Sequence, residues 1–123
     1  MSDRTSEEPL RLLTDLERRY IDRLLTVDFV GREQIMEQLR SVLARRIDDE
    51  GSVELVPQNS VRANVMKRIP VEGESADVDG VPVYFLLHVV DSQVHELEIY
   101  KADGSPIKRM PAPERVDVVA LPG

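Results

Sequence analysis

A chain of 123 residues with a net charge of −7 and no cysteine has the size of one domain. The absent cysteines exclude a disulfide framework, a thiol nucleophile and a cysteine zinc site. An acidic chain is repelled by phosphate backbones, which argues against nucleic acid. No stretch approaches the roughly eighteen apolar residues of a membrane span, so the expectation is a cytoplasmic protein with no membrane and no nucleic-acid partner.

Residues 1–9 are polar and aperiodic and read as a loose N-terminus, with a single domain over 10–123. Thr14 followed by Glu17 is a capping-box pattern. Leu16, Tyr20, Leu24 and Val27 then recur at helical spacing, which predicts a helix over about 14–27. A second helix is expected from Asp28 or Gly31 to Arg40, with Ile35, Met36 and Leu39 as its apolar stripe. Residues 41–47 suit either a continued helix or a strand. Gly51 preceded by Asp48, Asp49 and Glu50 is turn chemistry, and favours a hairpin between 41–47 and 52–56.

Residues 57–64 read as a loop and 65–74 as a strand. Asp79-Gly80 is a two-residue hairpin signal. Strands over 81–90 and 93–101 follow, then a Pro-rich tail with a short edge strand at 116–120. Two helices followed by a run of strands predict an α+β domain: two N-terminal helices packed on an antiparallel meander of about five strands.

Taking both Asp79-Gly80 and Asp91-Ser92 as two-residue loops sets a register. It places Ile69, Val71, Tyr84, Leu86, His88, His95, Leu97 and Ile99 on the face beneath the helices. Glu72, Glu74, Phe85, Leu87, Glu96 and Glu98 fall on the opposite face. A three-residue loop at 91–93 is the competitor, and a slip of one residue turns a strand over. Strand 81–90 is apolar on both faces, so its second face needs a cover. The tail, the 57–64 loop or a partner would serve.

In this register the only histidines, His88 and His95, stand opposite each other near Asp91. Two imidazoles and a carboxylate are a metal-ligating set, or a pH-sensitive pair. The ordinary alternative is two strand histidines at a core edge, and no cofactor is expected. A calcium loop at Asp77 and Asp79 fails on spacing, because Ser75 and Leu86 occupy positions that need ligands. Alternating glutamates 72, 74, 96 and 98 are the usual sign of a solvated strand face. No nucleophile elbow, Walker loop or dinucleotide fingerprint is present.

The segment 77–107 carries Asp77, Asp79 and Gly80, then Glu96-Leu97-Glu98-Ile99-Tyr100-Lys101, then Asp103, Ser105, Pro106 and Ile107. It resembles a small bacterial family of domains of unknown function. That resemblance implies a stand-alone domain, favours the 41–56 hairpin and lends no activity. His88 and Val90 stand where the family has Asn and Asp, and the turn that follows is a residue shorter here. Glu96, Glu98 and Asp103 beside Lys101 would be either a shared site or an ion-pair and turn scaffold.

The leading functional expectation is a non-enzymatic module that binds a protein partner or itself. Its contact residues would be Phe85, Leu87, Glu96, Glu98, Tyr100, Lys101 and Asp103. The alternative is a metal-dependent or acid–base enzyme built on His88, Asp91, His95 and Glu96, with His88, Asp91 and His95 as the metal set. A third reading, from small size and acidity, is a neutralising partner of a basic toxin or enzyme.

Overall fold

The computed structural model describes residues 8–121. The N-terminal stretch expected to be loose lies outside them except for its last two residues. Of these, Glu8 is held to the strand Val42–Arg46: its carbonyl accepts from Arg45 Nη1 at 3.1 Å and its carboxylate lies 3.6 Å from Arg46.

Helix α1 spans Asp15–Leu24. Thr14 Oγ1 accepts from the Glu17 amide and Glu17 accepts from the Thr14 amide, closing the expected capping box. Arg11 grips both Glu17 oxygens at 2.9 Å. The helix ends at Leu24 rather than Val27. Its buried side is Tyr20, Ile21 and Leu24, while Leu16 is 39% exposed. Helix α2 spans Arg32–Leu39 after Gly31, whose φ of 92° lets the chain reverse between the helices. Ile35, Gln38 and Leu39 are buried, and Met36 faces outward.

The chain then forms one six-stranded antiparallel sheet. Its strands are β1 Val42–Arg46, β2 Val53–Pro57, β3 Val71–Ala76, β4 Pro82–Val90, β5 Gln93–Lys101 and β6 Asp117–Ala120, in the order β1-β2-β5-β4-β3-β6. The 41–56 region is a hairpin, as turn chemistry indicated. Asp48 Oδ1 accepts from the amides of Glu50 and Ser52, and Gly51 has φ 105°. The strand expected from residue 65 begins only at Val71. Pro70 has no N–H to give a ladder, and the amide of Val65 turns back to the Ala63 carbonyl. The tail strand pairs with β3 and completes the sheet.

Two one-residue details set the register. The amide of Asp77 donates to the Val81 carbonyl and that of Gly80 to the Asp77 carbonyl, so the loop is the three residues 78–80. Gly80 takes a φ of 85°, the usual conformation of a three-residue hairpin with a bulged glycine. Val71 therefore pairs with Leu87, not His88. At the other end Asp91 and Ser92 form the expected two-residue turn, both at positive φ, and Val90 pairs with Gln93. A bulge then skips His95, so His88 pairs with Glu96 and Leu87 with Leu97.

The two shifts together turn β4 over. Val83, Phe85, Leu87 and Val89 face the helices, while Tyr84, Leu86 and His88 take the other side. Phe85 stacks against Tyr20 of α1 with ring centroids 4.7 Å apart. The expectation that Phe85 and Leu87 lie on an open face is overturned, for both are 0% exposed. The strand that is apolar on both faces is covered by the helices on one side. On the other its central apolar residues Tyr84 and Leu86 are half-buried among polar neighbours. One core cluster joins α1, α2 and the inner face of the sheet.

Candidate functional site

Both helices lie on one side of the sheet, and the outer side carries neither. Antiparallel strands allow this, because alternation gives each strand one apolar and one polar face. Cross-strand pairs fix the outer side row by row. Val119, Glu72, Leu86 and Glu98 form one row, and Asp117, Glu74, Tyr84 and Tyr100 form the next. A third runs from His88 through Glu96 to Glu54 and on to Arg45. Tyr84 and Tyr100 lean together at a centroid distance of 5.2 Å, and Tyr100 is 37% exposed.

The face is strongly acidic. Glu54 and Glu96 stand directly opposite each other, an arrangement that repels unless compensated. Arg45 compensates Glu54 at 3.0 Å. Near the upper end of β4, Arg68 Nε donates to His88 Nδ1 at 3.0 Å, and His88 Nε2 lies 2.8 Å from Glu98 Oε1. Because Nδ1 accepts, the ring proton sits on Nε2 and is given to Glu98. Burial, with a smaller push from the Glu98 and Glu72 charges, raises the Tyr100 hydroxyl above the ordinary tyrosine value.

The candidate metal set is not brought together. His95 is the bulged residue and is exposed, and Asp91 sits in the turn. Among the described residues the potential ligands that converge, within 4.8 Å, are His88, Glu96 and Glu98. Their bonding does not suit a metal. A ligating histidine turns a bare nitrogen to the ion and donates its other N–H to an acceptor. Here the nitrogen facing the carboxylates carries the proton, and the other is occupied by an arginine donor.

The acidic turn and Lys101 form a second assembly, on the inner side. Lys101 Nζ donates to Asp77 Oδ2 at 2.9 Å and to Asp79 Oδ2 at 2.6 Å, with the Lys101 and Asp77 side chains fully buried. The amides of Val78, Lys108 and Arg109 also donate to Asp77. Desolvation pushes the Asp77 carboxyl up, but Lys101 and these amides outweigh it and hold the acid well below the usual range. Asp79 and then Asp77 raise the Lys101 amine. Asp103 Oδ1 accepts from the amide and hydroxyl of Ser105, which closes the neighbouring turn. Asp77 and Lys101 thus tie the β3–β4 turn to the 102–109 segment, while Asp103 shapes the turn within that segment. In the expected contact set, Lys101 is a buried latch, while Glu96, Glu98 and Tyr100 share the outer face.

The contribution of Arg68 was not visible in the sequence, because it lies in a stretch that reads as strand. Gln38 is likewise unannounced. It is fully buried on α2 and gives its amide to the carbonyls of Val61 and Ser92 while accepting from Val94.

A small α+β domain with one helical and one open, acidic face is the class these features define. The profile of a domain of unknown function, DUF6984, matches residues 10–111, and the chain belongs to that family. No curated protein and no solved structure matches it.

Proposed function

We propose that the chain is a non-enzymatic interaction module that docks a basic protein partner on the helix-free face of its sheet. The observation that supports this is the composition of that face. Glu54, Glu72, Glu74, Glu96, Glu98 and Asp117 surround Tyr84, Leu86 and Tyr100. Its cations Arg45 and Arg68 are already bonded to Glu54 and His88. Aromatic anchors within a one-sign field suit a partner rich in lysine or arginine, since complementary charge steers encounter and aromatic side chains supply anchoring contact. Two copies of this face repel each other, so the occupant is a different, basic chain. Neutralisation of a basic toxin or enzyme is one case of this reading.

The test immobilises three forms against a lysate of the source organism, at low and raised salt. They are the wild type, a face variant carrying Glu72→Gln, Glu74→Gln and Glu96→Gln, and a control carrying Asp22→Asn and Glu33→Gln on the helical side. The reading expects basic proteins held by the wild type and the control, lost from the face variant and released by salt. Equal retention by the face variant refutes it.

An acid–base role for His88 and Glu98 is the second reading and rests on their 2.8 Å contact. It requires a turnover that His88→Gln abolishes and Glu72→Gln spares.

A further inference from the structure

The bonding around His88 goes beyond the docking reading and does not depend on it. The ring is 9% exposed and accepts from Arg68 Nε through Nδ1 while donating from Nε2 to Glu98. Both nitrogens are used, and they are used in opposite senses. A neutral imidazole has one donor and one acceptor, whereas a protonated one has two donors. The ring therefore holds Arg68 or a second proton, and cannot hold both. Arg68 is always protonated and has no acceptor to offer instead.

Arg68 is also a backbone anchor. Its carbonyl accepts from the Val89 amide at 2.7 Å, next to His88 in β4. Its side chain and carbonyl together fasten the 66–70 stretch to the sheet. Residues 63–68 and 89–92 line a cleft of about 450 Å³ between that stretch and the β4–β5 turn. Release of Arg68 would free one wall of this cleft.

The charged groups around the ring come from each neighbouring element. Glu96 is paired with His88 on β5, and Glu98 bonds it from the same strand. Glu72 of β3 lies on the same outer face, opposite Leu86. Arg68 comes from the preceding loop, and Glu54 of β2 stands behind Glu96.

We propose that His88 is a proton-operated latch: the neutral ring holds Arg68 and the 66–70 stretch against β4, and protonation expels the guanidinium and loosens that stretch. The device responds to acid, because the second ring proton takes the nitrogen lone pair that holds the guanidinium. Glu98 keeps its contact in both states, because Nε2–H donates to it in each.

The test is a pH titration of the free full-length chain, followed by ¹⁵N NMR of the rings, of the Arg68 Nε–H and of the Val89 amide. Expected at neutral pH is the Nε2–H tautomer of His88, with a protected Arg68 Nε–H. As the ring takes its second proton, protection of the Arg68 Nε–H and the Val89 amide should fall by up to about tenfold, the worth of one net hydrogen bond. His88→Gln keeps an acceptor but does not titrate, and should remove the acid response. His95→Gln, at an exposed position, should retain it. An Nδ1–H tautomer at neutral pH overturns the proposal, as does Val89 protection that ignores the ring titration. The same acid response in His88→Gln also overturns it. If that variant does not fold, the wild-type tautomer and the Val89 profile decide alone. No binding partner is needed, so this test and that of the docking face can fail separately.

Discussion

Lys101 Nζ lies 2.9 Å from Asp77 Oδ2, and neither side chain reaches solvent. The pair joins the end of β5 to the turn between β3 and β4. Three backbone amides complete the carboxylate shell, so the anion is solvated by the protein itself. The Asp-x-Asp-Gly turn and the Lys-x-Asp-x-Ser-Pro segment are two halves of one latch.

Removing Lys101 leaves the buried Asp77 anion without its cation, and removing Asp77 leaves the buried Lys101 ammonium with Asp79 as its one carboxylate; either loss costs more than breaking an exposed ion pair. Asp77→Asn and Lys101→Met should each lower the melting temperature by about 10 °C or more. The double variant should lose less than the sum, because the two residues bond each other directly and their shared contact is lost once. The acid limb has a definite sign. The folded Asp77 acid ionises below its unfolded counterpart. Its contribution is present above the unfolded value of about 4 and is lost as pH falls through that value towards the folded one. Thermal melts between about pH 5 and 2 should fall more steeply for the wild type than for Asp77→Asn.

Most of the fold is legible in the sequence because its signals are local. The Thr14 capping box, the Gly51 turn and the apolar strand runs need only near neighbours. The face of β4 is not local. It depends on whether the 78–80 loop has two or three residues, and on a bulge at His95 that no residue type announces. Asp79-Gly80 suits both loop lengths, and one residue decides which side of Phe85 meets the helices. The candidate site suffered accordingly: Phe85 and Leu87 became core, whereas Glu96, Glu98 and Tyr100 kept their side because β5 did not turn over. Arg68 and Gln38 act across 20 residues or more, a range that spacing rules do not reach.

Gly73 sits where Leu24 of α1 and Val116, just after the short helical turn Pro113–Arg115, crowd β3. A Cβ there would lie 2.6 Å from Val116 Cγ1 and 2.9 Å from Leu24 Cδ2. Both neighbours are buried, so the contact is relieved only by moving packed elements. Gly73→Ala should destabilise the fold by about 1–3 kcal/mol, the range of overpacked cores. A lower urea midpoint with an unchanged slope is the expected reading.

Gln38 is a buried amide with all its partners on other elements. Gln38→Leu is close in size but strands the Val61 carbonyl and the Val94 amide, and leaves the Ser92 carbonyl with the Ala63 amide as its donor. Each orphaned group costs about 1–3 kcal/mol when water cannot reach it. Unfolding should show a loss of at least about 2 kcal/mol, with faster amide exchange at Ala63 and Val94. The Ala63 amide reports because it donates to the same Ser92 carbonyl.

Tyr20 is 2% exposed, stacks on Phe85 and donates its hydroxyl to the Pro111 carbonyl. Burial pushes the phenol up to about 12, against about 10 in an unfolded chain. The group therefore contributes full stability below about pH 10, and the contribution is lost as pH rises through the folded value near 12. Tyr20→Phe should cost about 1 kcal/mol at neutral pH, for the unpaired Pro111 carbonyl. It should also flatten the fall of stability at high pH. In the phenolate absorbance of the folded wild type, one component should lag to about pH 12, and that component should vanish in the variant. A variant that titrates and melts like the wild type at high pH would show that the Tyr20 hydroxyl is not the group that α1 uses to hold the 111–116 segment.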